Sequence, residues 1–323
     1  MKSRLSRFLL RRLLLLFVGN LILLLLIRCW IKEGGSFRDV LARSGPDVAP
    51  VILAGLGMTG IIFTGAIDLS IASIVVLAGT VFGILVQRGC PPLVCDLACV
   101  ATAWAFVSLN GWLVRRLRLP AIIITLAGLA FYRGLALILA DVAIPNFAGY
   151  LAVQDEQFHA PGKMYAAWIL LIVLATALLW ERFAKTPRCW LALGNSAEAC
   201  HLLGLRPERI LQSAFLVGGI FLGVSALIYV TRVQAIEPAR MALGFELQVI
   251  GAVVLGGTNI FGGEGCFVGT VLGAFFLYFV AELLIYAGVS PYFQEVIVGF
   301  ILVVVIGLDC ASHRPAKLLA ELA

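Results

Sequence analysis

Asp68, in the stretch GAIDLSIAS from Gly65 to Ser73, places a carboxylate inside what would otherwise be one very long apolar segment. A charge at that depth is costly in lipid, so it needs a use. Two uses suit it. Asp68 or Ser70 can cap the helix that begins at Ile71, satisfying orphan backbone N–H groups at the positive end of its dipole. Alternatively, the pair can touch a solute or a coupled ion on a translocation path. A second break, VLGGTNIFGGEGCFVGT from Val254 to Thr270, sets six glycines and Glu264 between two apolar runs. Backbone that rich in glycine is irregular or closely packed, which lipid tolerates only where protein buries it or it lines a cavity. Gly256, Gly257, Gly262, Gly263 and Gly265 therefore read either as tight packing through small residues or as a hinge or gate, with Asn259 among them on that path. Arg133, in AFYRGLALIL, is expected to pair with a carboxylate or to snorkel outward. Trp104, Phe131 and Tyr132 can stack on a sugar ring, or serve as packing and interface anchors.

The third stretch, LGNSAEACHLLGLRPER from Leu193 to Arg209, is a polar helix signal amid apolar sequence, with cations before and behind it. Asn195 followed by Glu198 fits an N-cap with a side chain reaching back. Gly204 is placed to end the helix after Leu203, and Pro207 suits the first turn of the next one. A helix of about two turns, Ser196 to Leu203, is too short to stand alone. Its apolar members Ala197, Ala199, Cys200, Leu202 and Leu203 must lie on a membrane boundary or in a groove of a partner protein.

Enzyme chemistry finds no support. None of the five lysines sits in a phosphate-cradling loop; Lys185 precedes Thr186 but lacks the glycines. His159, His201 and His313 are isolated, with neither triad nor metal-ligand spacing, so neither a metal nor a cofactor is expected in this chain. The eight cysteines form no ligand set. Cys29, Cys99, Cys266 and Cys310 serve as small apolar fillers, whereas Cys90 and Cys95, in CPPLVC, could close a small loop in an oxidising compartment.

The elements that must carry these groups are membrane helices. The 323 residues are 62% hydrophobic and 13% charged, against roughly 25% charged in a soluble domain. Apolar runs of about 18 residues recur throughout, each able to cross a hydrocarbon core of about 30 Å. About ten spans are predicted, near residues 8–30, 48–66, 71–88, 93–113, 120–140, 164–183, 209–231, 246–262, 266–287 and 291–308, in one transmembrane domain covering 1–323. The net charge of +6 gathers at the ends of these runs, so it reports orientation and not a nucleic acid. Alternation from an inside N-terminus puts Arg115, Arg116, Arg118, Arg182, Lys185, Arg188, Arg206, Arg209 and both chain ends in the cytoplasm. The first span is expected to be retained, because no small-residue cleavage site follows at Arg28-Cys29-Trp30. A simple inverted repeat relating GAIDLS to GGTNIF is not supported, since both preceding spans run in the same direction.

In order along the chain, GAIDLSIAS, NGWLVRRLRLPAIIITLAGLAFYRGLALIL, LALGNSAEACHLLGL, VVLGGTNIFGGEG and GVSPYFQEVIVGFILVVVIGLD resemble the ribose-type permease subunits of bacterial ABC sugar importers, from about Val51 to Asp309. The resemblance implies an inner-membrane protein working with a second permease subunit, identical or not, with ATPase subunits and with a periplasmic substrate-binding protein. It also implies that residues 184–208 form the coupling loop on the ATPase, with Asn195, Ser196, Glu198, Ala199, Leu203 and Gly204 at the contact. Ala66 and Ala72 replace glycines usual in that family, and one glycine is missing ahead of Asn195. The expected cargo is a monosaccharide such as ribose, xylose or rhamnose, moved by alternating access. The alternatives are a branched-chain amino acid or other non-sugar cargo, or an ion-coupled transporter in which Asp68, Glu246 or Glu282 carries the charge.

Overall fold

A computed structural model describes residues 2–30, 37–143, 151–152, 166–233 and 235–290, with scattered positions between 293 and 307. The chain is helical almost throughout. The helices are α1 (Lys2–Trp30), α2 (Phe37–Phe63), α3 (Ile71–Gln87), α4 (Pro92–Leu117), α5 (Ala121–Ala143), α6 (Ala166–Phe183), α7 (Thr186–Asn195), α8 (Ala197–Leu202), α9 (Pro207–Val233), α10 (Phe245–Leu255) and α11 (Phe267–Tyr286). A two-residue antiparallel pair, β1 (Leu151–Ala152) with β2 (Ala235–Ile236), matches Leu151 to Ile236.

Among the described residues, six helices are long and apolar enough to cross a membrane: α1 from Arg11, α2, α4, α5, α9 and α11. The apolar helices α3 and α10 are shorter. Much of the last expected span, 291–308, lies outside the described residues.

Burial separates the centre from the rim. Helix α2 is 83% buried over its apolar window and α1 only 11%, so α2 is the central post and α1 presents apolar side chains all round, as a lipid-facing helix does. Helices α6, α7, α9, α10 and α11 all pack on α2. The post begins at Phe37, well before the expected position 48, because Pro46 and Pro50 lie inside it without ending it. A proline removes an N–H from the helical ladder. The Pro46 carbonyl, left without the Pro50 donor, instead takes Arg232 Nη1 at 3.0 Å, and the Pro50 carbonyl takes Ser225 Oγ at 2.7 Å. Helix α9 thus supplies the donor missing at Pro46, as membrane interiors require, and adds one at Pro50.

Small residues set the closest approaches. Gly219 and Gly223 of α9 lie against the backbone of Trp104 and Val100 on α4, a small-xxx-small seam. Helix α1 joins α11 through Asn20 Nδ2, which donates to Leu272 O at 3.1 Å.

Candidate functional site

The two breaks and the cytosolic stretch predicted from sequence meet at one end of the bundle. Helix α2 ends at Phe63, α7 ends at Asn195, and the loop between α10 and α11 carries Gly262 and Gly263. Gly263 N donates to Phe63 O at 3.0 Å, and Asn195 Nδ2 donates to Gly263 O at 2.9 Å and to Leu191 O at 2.9 Å. The three segments approach so closely that a Cβ on Gly194 would overlap the Phe63 carbonyl oxygen and the Gly263 amide. One on Gly262 would lie 2.6 Å from Gly65 N, and one on Gly263 would lie 2.8 Å from the Asn195 amide. Both Gly262 and Gly263 also have positive φ, +89° and +80°, which side-chain-bearing residues rarely adopt.

The remaining predicted loop residues build the ends of this clasp. Asn259 Oδ1 accepts from Phe261 N at 2.9 Å, and Gly262 N donates to Asn259 O at 2.9 Å. Gly257 leaves α10 with φ +88°. Gly256 packs against the backbone of Gly269 at the start of α11, with no room for a Cβ. The glycines therefore divide between close packing, at Gly256, and turn geometry, at Gly257, Gly262 and Gly263. A second tie runs parallel to the Asn195 contact: the Glu181 carboxylate of α6 accepts from Phe267 N, capping α11 from another helix.

The foot beyond the clasp, formed by α7 and α8, differs in detail from the sequence expectation. Ser196, not Asn195, is the N-cap of α8; its Oγ accepts from Ala199 N at 3.0 Å. Asn195 is unavailable because its amide is held by Gly263 and Leu191. The shift moves Glu198 to the second helical position, where its side chain has no capping bond. Gly204 behaves as expected, with φ +74°, Gly204 N donating to His201 O and Leu205 N to Cys200 O. That is the Schellman pattern of a helix ending on glycine. Leu202 and Leu203 are 83% and 78% exposed, and Ala199 is exposed beside them, whereas Cys200 is buried.

Sequence reasoning missed the anchor of the foot. Helix α7 carries Trp190, 1% exposed, whose Nε1 donates to Ser213 Oγ of α9 at 2.8 Å. Its ring meets Trp180 of α6 edge-on at 5.2 Å and lies against Gly60 of α2. Pro187, in the first turn of α7, was the available signal.

Asp68 and Ser70 lie beside this end of α2, fully buried. Ser70 stands at the N-cap of α3 without a side-chain capping bond; its hydroxyl instead donates to Asp68 Oδ1 at 2.6 Å. Ser70 N reaches the same oxygen at 2.9 Å. Asn110 of α4 donates to Asp68 Oδ2 at 3.1 Å and to Ser70 Oγ at 2.8 Å, and Tyr132 of α5 donates to Asn110 Oδ1 at 2.6 Å. The chain of donors runs in one direction and ends on the Asp68 carboxyl group, both of whose oxygens accept. Asp68 thus brackets α3, α4 and α5 instead of capping one helix. Tyr132 belongs to this network, while Trp104 and Phe131 are 42% and 64% exposed.

At the opposite end, Arg133 Nη1 donates to the carbonyls of Pro238 and Met241 at 3.1 and 3.2 Å, so it finds backbone and not a carboxylate. Cys90 and Cys95 are free thiols, with Cys95 Sγ directed at Cys90 O. Among the described residues no group of three or more His, Cys, Asp or Glu side chains could hold a metal.

Comparison with known proteins converges on one type of protein. The family model described as branched-chain amino acid transport system, permease component, matches residues 46–306. The autoinducer 2 import system permease protein LsrC of Photorhabdus laumondii is 32% identical over 272 residues, covering 82% of this chain and 80% of that protein. The protein of the same name from Escherichia coli is 31% identical over 276 residues, covering 82% of this chain and 78% of its own length. No solved structure matches.

Proposed function

We propose that this chain, which belongs to the family of permease components of branched-chain amino acid transport systems, moves a neutral sugar-like solute across the inner membrane, powered by separate ATPase subunits. A transport permease with several membrane-crossing helices is the coarse identity. The finer reading has four parts: about ten spans with both chain ends inside, a second permease subunit, a periplasmic binding protein that delivers the solute, and α7–α8 as the foot seated on the ATPase. A sugar-like cargo fits relatives named for autoinducer 2 import.

One observation carries this reading. The foot has an exposed apolar tip at Ala199, Leu202 and Leu203, and its root is fixed through Asn195 and Gly263 to both interrupted segments of the bundle. A tip that leaves leucines uncovered is suited to a partner's groove, and a root that meets backbone on both breaks can pass on its displacement. The orientation that puts this end inside also gathers Arg115, Arg116, Arg188, Arg206 and Arg209 there.

The test is uptake by cells expressing the importer with Ala199→Asp or Leu203→Asp. Both variants should reach the membrane at wild-type abundance and melt as the wild type does, yet lose most ATP-dependent uptake and co-purify poorly with the ATPase. Full uptake by both would remove the coupling role. Uptake that survives without any ATPase and collapses with the ion gradient would establish the ion-coupled alternative instead.

A further inference from the structure

At the end of the bundle away from the foot, two cavities of about 150 and 220 Å3 adjoin between α2, α9, α10 and α11. They share Asp47, Val51 and Gln248. Asp47 precedes Phe63 by 16 residues of one helix, so the cavities lie about 24 Å from the clasp. The larger has room for on the order of ten water-sized groups.

The two walls differ in chemistry. Asp47 accepts from Arg232 Nη2 and from Tyr278 Oη, the latter at 3.2 Å, while Arg232 Nη1 is held by the Pro46 carbonyl. A carboxylate has about four lone-pair positions and a guanidinium five N–H groups, so both retain hydrogen-bonding capacity toward the cavity. Gln248 is exposed into the space, and its side-chain amide has no partner among the described residues. Opposite stand Val48, Val51, Ala274 and Leu277, with Phe245 and Tyr229 in edge-to-face contact at 5.5 Å.

Resting on the permease reading above, we propose that these joined cavities are a solute subsite for a neutral polyhydroxylated molecule of about one sugar ring. Asp47 and Arg232 receive and donate to adjacent hydroxyls, Gln248 orients a third, and the Val51 and Phe245 side takes the apolar face of the ring. Neutrality follows from the charges. Asp47 and Arg232 already compensate each other, so a neutral polyol can bridge them intact. A net anion or cation would add charge that this pair cannot compensate. Glu282, one turn along α11 from Tyr278, further disfavours an anion.

The experiment is initial uptake of radiolabelled ribose, xylose and leucine by cells in which the chromosomal copy is replaced by wild type, Gln248→Leu or Val51→Trp, with membrane abundance measured for each. Gln248 makes no side-chain bond to lose on substitution, and tryptophan at position 51 fills the space both cavities share. Both variants should be present at wild-type levels and lower sugar uptake tenfold or more. Uptake that depends on the chain but is unchanged in both variants overturns the subsite and leaves the permease reading standing. Uptake of leucine and of neither sugar overturns the solute class. Uptake of all three that is indifferent to deleting the chain overturns the permease reading itself, and the subsite with it.

Discussion

Gly194→Ala adds one methyl group to an exposed foot, yet it should damage the molecule out of proportion to its size. The new Cβ would overlap the Phe63 carbonyl oxygen and the Gly263 amide and stand 3.0 Å from the Gly262 carbonyl carbon. All three obstacles are backbone, so no side chain can swing aside. Carbon contacts settle near 3.5 Å, and the segments must therefore part by on the order of 1 Å. The Gly263 N to Phe63 O bond, 3.0 Å in the native clasp, then stretches to about 4 Å, beyond useful range. The Asn195 to Gly263 bond is drawn out with it. Two net hydrogen bonds at about 1 kcal/mol each and overpacking at about 1–3 kcal/mol give a loss of roughly 3–5 kcal/mol, unless α7 detaches to avoid it. Detachment would relieve the overlap but draw Trp190 of α7 out of the core, so it too would lower stability, and it would abolish coupling. The assay is thermal unfolding of the purified protein beside uptake normalised to membrane abundance, with Gly134→Ala as control, because a Cβ there meets nothing within 4 Å. Native melting together with native uptake in Gly194→Ala would refute the claim that the three segments are held in contact.

Four other changes read out separate parts of the structure. Trp190→Ala should cost about 3–5 kcal/mol in unfolding measurements, the usual range for a buried aromatic, since the ring fills the space between α2, α6 and α9. Tyr132→Phe removes the donor to Asn110 Oδ1 and leaves a buried acceptor unsatisfied; a loss of about 1–3 kcal/mol is expected by chemical denaturation. Asp68→Leu should be worse than Tyr132→Phe, because Ser70 and Asn110 then lose their shared acceptor; equal stability of the two variants would show that the carboxylate is not the end of the network. Leu202→Asp changes an 83% exposed side chain, so its effect on melting should stay within about 0.5 kcal/mol while uptake falls with that of Leu203→Asp.

The helical architecture and the location of the breaks were legible in the sequence because both depend on local composition. Apolar runs give spans, and a carboxylate or a glycine cluster inside a run marks a place where regular helix must stop. The motifs from Val51 to Asp309 also pointed to the family whose model matches 46–306. Partners across space were less legible. Asn195 looks like an N-cap because Glu198 follows it at capping distance; only the loop from a distant part of the chain, which takes its amide at Gly263, moves the cap to Ser196. Asp68 and Ser70 look like a local cap for the same reason, and Asn110, 42 residues on from Asp68 and itself held by Tyr132 a further 22 residues along the chain, redirects them. Helix α2 starts early because Arg232 on α9 satisfies the Pro46 carbonyl that Pro50 leaves open, which no local propensity records.

These long-range ties bear on how motion can enter the bundle. A coupling segment joined to the membrane helices only by flexible loops would absorb a push from a partner. Here α7 reaches the core through Trp190, the Asn195 amide is bonded to the loop ahead of α11, and Glu181 just before the foot caps α11 itself. The same loop is bonded through Gly263 N to the end of α2, the most buried helix of the six. A displacement of the foot therefore acts on α2 and α11 together, and α11 forms part of the wall of the cavities at the far end through Leu277 and Tyr278. In this arrangement the glycines at the clasp do not supply looseness. They permit backbone to touch backbone, and through that contact a displacement of α7–α8 would reach both long helices.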